Sequence, residues 1–214
     1  MFYIGLDIGQ ANNYTAMTTL EKKVVSIIAK KPQVEYHCPH LERFELKKEY
    51  PEMMDDLKKR INATGLFGRY QIIADATGVG KPVVDYIRKE GLSVVPVIIT
   101  SGSNVIYDQA IGGWHVPKRD LISSVQLALQ QRVLKFSAEI PNLEDMIKEL
   151  MNFKIKITTH GNDTYEAWRE GETDDLVLSL ALAVWYAKNY GITGNPPEEK
   201  SVNSISPWLI QKGI

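Results

Sequence analysis

The chain has 214 residues, 44% hydrophobic and 24% charged, which is enough apolar sequence to bury a full core in one ordinary globular domain and excludes a disordered chain. A formal net charge of −1 gives no global basic signature, so any nucleic-acid partner would have to meet a local patch. The single cysteine, Cys38, excludes an internal disulfide framework and a cysteine-rich zinc site, which leaves oxygen as the donor for any metal.

Residues 1–7 carry no basic n-region and no cleavable apolar segment, so no secretory signal is expected. The longest nearly continuous apolar run, 176–187, is too short to span a bilayer and reads as a core helix. A soluble, cytoplasmic protein without membrane partners is the expectation. Residues 2–8 read as a short apolar strand that runs into Asp7. A turn over 9–13 and strands over 14–20 and 22–30 then complete a three-stranded meander. Residues 31–48 read as a polar connection. His37, Cys38 and His40 lie close together in it, but without a fourth ligand of suitable spacing they read as an ordinary loop rather than a metal site. A helix over 51–63 follows, with Met53, Met54, Leu57 and Ile61 at helical spacing.

Residues 70–75 form a second apolar strand ending in an acid, Asp75, and a glycine-rich turn over 76–82 leads into a helix with Val83, Val84 and Ile87 on one face. A phosphate loop is excluded, because its spacing requires a glycine where Asp75 stands and a Ser or Thr where Pro82 stands. The helix N-terminus with Lys81 beside it can still receive a backbone phosphate of a nucleic acid. Residues 93–99 read as a buried strand, 100–114 as a long functional loop, and 117–133 as a helix with Lys118 and Arg119 at its start. After a helix over 142–151, the alternation of Phe153, Ile155 and Ile157 with Lys154 and Lys156 predicts a strand, turning at 160–163 into a second strand over 164–168. From about residue 191 the sequence becomes Gly-, Pro- and Ser-rich, a C-terminal extension.

The helix opening with Asp174 and Asp175 is apolar almost all the way round, so it belongs inside the core and holds two adjacent carboxylates against the interior. One acid there is readily a helix cap. Two half-buried acids side by side repel unless a cation lies between them, and a metal would supply that cation.

The order of elements, with Ile4-Gly5-Leu6-Asp7, Ala74-Asp75-Ala76-Thr77-Gly78-Val79-Gly80 and residues 171–183, resembles the nuclease domain of the large terminase subunit of tailed phages, a ribonuclease H-like fold. The resemblance covers nearly the whole chain. It implies an α/β domain over 1–190 built on a mixed five-stranded sheet flanked by helices, with an added β-hairpin before the last helix, followed by the extension over 191–214. It implies that the first and fourth strands bring Asp7 and Asp75 together and that the last helix delivers Asp174 and Asp175. These four would hold two Mg²⁺ or Mn²⁺ ions for endonucleolytic cleavage of double-stranded DNA, with Asp7, Asp75 and Asp175 catalytic. Lys81, Lys118, Arg119, Lys154 and Lys156 would contact DNA. Further implied partners are a terminase ATPase domain, a small subunit or a portal, and the setting is the host cytoplasm. Two features depart from the family pattern. Thr173 stands where members often have a histidine, and no Walker motif appears, so the chain is not expected to translocate DNA by itself. Two alternatives stay open: an inactive DNA-binding or assembly module of the same fold, and a nucleotide-binding domain like that of actin-like ATPases and sugar kinases, whose first phosphate loop residues 5–12 also resemble.

Overall fold

The first strand, β1 (Phe2–Asp7), has strands on both sides and helices over both faces, which is why its residues are apolar without alternation. The molecule is seen in a computed structural model that describes residues 1–9, 13–28, 31–46, 48–63, 66, 68–78, 80–159 and 173–190. After β1 the chain forms β2 (Ala16–Ile28), β3 (Lys31–Arg43), α1 (Tyr50–Ala63), β4 (Tyr70–Asp75), α2 (Gly80–Lys89) and β5 (Val94–Thr100). It continues through β6 (Ile106–Asp108), β7 (Gly113–Pro117), α3 (Lys118–Gln130), β8 (Leu134–Phe136), α4 (Leu143–Thr159) and α5 (Asp175–Asn189). The strands make one mixed sheet in the order β6-β7-β5-β4-β1-β2-β3-β8. Strands β1, β2 and β3 run antiparallel in sequence, while β4, β5 and β7 continue parallel to β1.

Successive residues of β1 point to opposite faces. Ile4 and Leu6 join Met53, Met54 and Leu57 of α1 and Val83, Val84 and Ile87 of α2 on one face. Tyr3, on the other face, packs in the cluster that contains α3 and α5. The α5 helix is buried from Asp175 to Ala187, and burial of each of its leucines contributes roughly 1.5–3 kcal/mol. Its backbone lies directly on β1 at Gly5, where an added Cβ would stand 1.7 Å from the Ser179 carbonyl oxygen. A buried hydrogen bond at 2.7 Å between the Thr18 and Ser179 hydroxyls fixes the same crossing. Gly5→Ala is therefore expected to push α5 off the sheet and destabilise the protein by about 1–3 kcal/mol, as overpacking does. The urea midpoint measures this directly, and an unchanged midpoint contradicts the crossing.

Several elements differ from the sequence-based expectation. The sheet has eight strands rather than five, and the five expected ones fall on β1, β2, β4 and β5. The expected strands over 14–20 and 22–30 are one continuous strand, β2, because register shifts between Thr19 and Glu21 and between Val24 and Ser26 absorb the break in the pattern. The expected connection over 31–48 is largely β3, which pairs along β2 and places Cys38 in the core, with His37 bonded to Glu35 and His40 to Glu42. The expected loop over 100–114 contains β6 and leads into β7, an antiparallel pair at the sheet edge. Residues 153–159 are the last two turns of α4 and not a strand. No Gly or Pro lies between Leu143 and Thr159, so the helix started by the earlier apolar face has nothing to stop it. The turn and second strand of that expected hairpin, and the extension over 191–214, lie outside the described residues.

Candidate active site

Leu6 of β1 is in register with Ala74 of β4, so Asp7 and Asp75 leave adjacent parallel strands at the same level. On its other side Asp7 pairs with Ala16 of β2, and Ala16 pairs with Arg43 of β3. One row across the sheet thus reads Asp75, Asp7, Ala16, Arg43. The close crossing at Gly5 brings the mouth of α5 over this row, so that Asp174 and Asp175 come to it from above.

Asp7 is 8% exposed, and burial pushes its carboxyl well above the ordinary range, helped by Asp75, Asp175 and Asp174 and opposed by Lys118. Asp75 is also raised by burial, but its Oδ1 accepts the Thr77 backbone N–H at 2.7 Å, and Lys118 and a side-chain hydrogen bond with Asp7 pull it down. Burial and mutual repulsion thus disfavour two full charges side by side at the ends of β1 and β4. Thr77 is itself fixed, since its Oγ1 accepts the Ile99 N–H at 2.7 Å from the neighbouring strand.

Asp175 is 7% exposed and its carboxyl is raised to about 6, by burial first and Asp174 second, with Arg43 opposing. Its buried Oδ2 has no hydrogen-bond partner among the described residues and lies 3.8 Å from Arg43 Nε. Asp174 Oδ2 accepts from Lys118 Nζ at 2.9 Å. Glu149 of α4, 4% exposed, is raised to about 7 by burial, against the pull of the Val177 N–H and Arg43. It forms an ion pair with Arg43.

Among the described residues no group of three or more Asp, Glu, His or Cys side chains stands assembled to hold an ion. Lys118 bonds to Asp174 and also opposes the upward shifts of Asp7 and Asp75, so a protein group balances part of the charge that a cation would take up. The donor set nevertheless fits a hard divalent ion. It consists of carboxylate oxygens on three rigid elements, with one buried oxygen, Asp175 Oδ2, left without a hydrogen bond.

No protein-family model matches the chain. The large terminase subunits of Thermus virus P23-45 and Thermus phage G20c are each 26% identical to it over 184 residues, which cover 86% of this chain and 31% of each relative. The crystal structure of the large terminase nuclease from phage G20c with bound zinc superposes with a TM-score of 0.56 at 21% identity, over 89% of this chain and 82% of that one. The chain is similar to large terminase subunits. The human cytomegalovirus terminase nuclease domain, soaked with Mn, shares the fold at a TM-score of 0.53 and 10% identity, over 87% of this chain and 83% of that one. The chain thus shares its fold with terminase nuclease domains, and it spans less than a third of the curated relatives' length.

Within this fold Asp7, Asp75, Asp174 and Asp175 lie toward one another at the ends of β1 and β4 and the start of α5. The proposed DNA-contacting residues are more scattered. Lys118, with a side chain 18% exposed, is a counter-ion inside the acid cluster rather than part of an open basic face. Arg119 is more exposed, but its Nη2 donates to the Ser103 carbonyl at 2.9 Å. Lys81 lies in the first turn of α2, and Lys154 and Lys156 in the C-terminal half of α4 rather than on a hairpin. Arg43 and Glu149 are the residues that sequence reasoning does not single out. Arg43 lies in what reads as a polar connection. Glu149 is one acid on an amphipathic helix, and its burial depends on where α5 lands. Thr173 Oγ1 accepts from Arg43 Nη2 at 3.0 Å.

Proposed function

We propose that this chain is a divalent-metal-dependent DNA endonuclease that cuts double-stranded DNA during phage genome packaging. The observation that supports this most is the pair of acids at the ends of β1 and β4, Asp7 buried and Asp75 half-buried, beneath the mouth of α5, where Asp175 Oδ2 has no hydrogen-bond partner among the described residues. In this reading Asp7, Asp75 and Asp175 are the principal ligands, and Asp174, released from Lys118, contributes to a second site. Mg²⁺ or Mn²⁺ ions there would stabilise the charge on the attacking and leaving oxygens of a phosphodiester. The protein's own part is to hold the carboxylates on a strand pair and on the helix packed across it. Lys118 offsets the charge of both strand acids, and it takes over more of that role when Asp174 turns away.

The homologues are large terminase subunits, so an ATPase motor, a small subunit and a portal are the partners this reading proposes. DNA would approach across the acid cluster, with Arg119, Lys81, Lys154 and Lys156 as candidate phosphate contacts around it. No helix among the described residues is long and apolar enough to cross a membrane.

The test is plasmid nicking by the purified chain with Mg²⁺ or Mn²⁺ and with chelator. Cleavage is expected with metal and none with chelator. Asp175→Asn should abolish it, since that side chain is buried at the first helical residue, whereas Asp174→Asn should leave measurable activity, since Asp174 is the N-cap and is paired with Lys118. Equal effects of the two substitutions contradict this division of roles. Inactivity of the wild type with every divalent metal, with DNA binding retained, favours an inactive binding module.

A further inference from the structure

We propose that Glu149 is a positioning residue that caps α5 from the neighbouring helix and draws Arg43 away from Asp175, keeping the Asp175 carboxylate open toward the acid cluster. The consequence for metal binding rests on the nuclease reading, whereas the arrangement of the three side chains does not.

An acid stands at the N-cap of α5, yet Asp174 makes no side-chain cap hydrogen bond, because its carboxylate is turned to Lys118. The first turn of a helix leaves backbone N–H groups in need of acceptors. Here the Val177 N–H donates to Glu149 Oε2 at 2.9 Å, so a side chain from α4 does what an N-cap residue normally does. This releases both acids at the helix mouth from capping.

The other oxygen of Glu149 accepts from Arg43 Nη2, which also donates to Thr173 Oγ1 at 3.0 Å. Arg43 Nη1 lies 3.8 Å from Asp145, and the Tyr14 ring lies 5.4 Å from the guanidinium carbon. Toward Asp175 the guanidinium presents Nε, at 3.8 Å from Oδ2, too far for a hydrogen bond. Both of these buried atoms lack a hydrogen-bond partner among the described residues. A guanidinium and a carboxylate in contact ordinarily close two short parallel hydrogen bonds. Arg43 lies between two buried carboxylates, and of these two it is Glu149 that it bonds. Were it to close on Asp175 instead, the unpartnered oxygen would be taken up and its charge neutralised by protein.

Glu149→Gln separates these roles, because the amide oxygen can still accept the Val177 N–H while the charge that holds Arg43 is gone. Isothermal titration of the full chain with Mn²⁺ alone is expected to show affinity weakened by about tenfold or more, the size typical of losing a group that orients a metal ligand. The double substitution Arg43→Gln with Glu149→Gln should recover affinity to within about threefold of wild type, since the competing cation is removed as well. It also removes both charges of the buried pair, so it should fold even if the single substitution leaves an uncompensated guanidinium. Unchanged affinity in Glu149→Gln, or a double variant as weak as the single effects combined, overturns the proposal. The crystal structure of Glu149→Gln without added metal decides it independently, with Arg43 expected within hydrogen-bond distance of Asp175. A guanidinium still seated on the substituted side chain and on Thr173 overturns the proposal even if the wild type cleaves DNA. If the wild type binds no Mn²⁺, the nuclease reading falls, and the position of Arg43 still decides this inference.

Discussion

Asp7→Asn is expected to abolish metal-dependent cleavage while leaving the protein at least as stable as wild type in chelator. The two effects have one cause. Asp7 is buried among Asp75, Asp174 and Asp175, and its charged form is disfavoured by burial and by all three neighbours. Asn fills nearly the same space, carries no charge and can still donate to Asp75, so the folded chain without added metal loses an acid that it holds at a cost. Most buried substitutions destabilise, typically by about 0.5–3 kcal/mol. Absence of such a loss is therefore informative. With metal the balance reverses, because Asn cannot supply an anionic ligand, and losing that charge stabilisation should cost several kcal/mol of barrier, on the order of 10²-fold or more in rate. Plasmid nicking in Mn²⁺ and urea unfolding in chelator measure the two halves on the same preparation. A variant that cuts at the wild-type rate refutes the ligand role. One that is inactive because its urea midpoint has collapsed shows Asp7 to be structural.

The acids are legible in the sequence because each lies where a strand or helix pattern meets a turn, and the two kinds of signal reinforce each other. Asp7 and Asp75 end apolar runs, and Asp174 and Asp175 open one. Their convergence is not legible from any one segment. It depends on β1 and β4 being neighbours and on Gly5 allowing α5 to lie against the strand. The supporting shell is less legible still. Arg43 reaches the site because β3 continues for 13 residues along β2, through a stretch whose histidines and prolines read as a connection. Glu149 matters because of a helix 26 residues further along the chain, and nothing local distinguishes it from a solvated acid. The strand expected over 153–159 shows the opposite failure. A short alternating pattern weighs less than the absence of any helix stop before it, and α4 simply continues. The short strands β6, β7 and β8 give too few residues for periodicity to register, and neighbouring strands supply their order.

The stability of the protein in chelator should fall as pH rises from about 4.5 to about 7.5, opposite to the trend of a protein whose acids are held by salt bridges. Asp175 is raised from 3.8 to about 6 and Glu149 from 4.5 to about 7, each by burial first. Between its ordinary value and its raised one, each carboxyl binds more proton in the folded chain than in the unfolded chain, so raising the pH drains stability from the fold. The loss begins as pH passes the unfolded values near 4 and is complete once it passes about 7. Asp7, raised by burial and by the acids around it, acts in the same direction. Each shift of this size corresponds to roughly 3 kcal/mol, and because Arg43 couples the two groups, their joint effect is taken as about 3 kcal/mol rather than the sum. Asp56 and Asp108, which neighbouring cations lower, oppose the trend, but they are exposed and solvent screens them. Urea unfolding at about pH 5 and about pH 7.5 in chelator reads the difference, and Asp175→Asn should flatten the lower part of the window. Adding Mn²⁺ at the higher pH should restore stability, since a cation offsets the same repulsion that protons offset at the lower one. Stability that is flat or rises across this interval would mean that the acids are less buried than the packing of α5 on β1 makes them, and the case for a cation between them would fail with it.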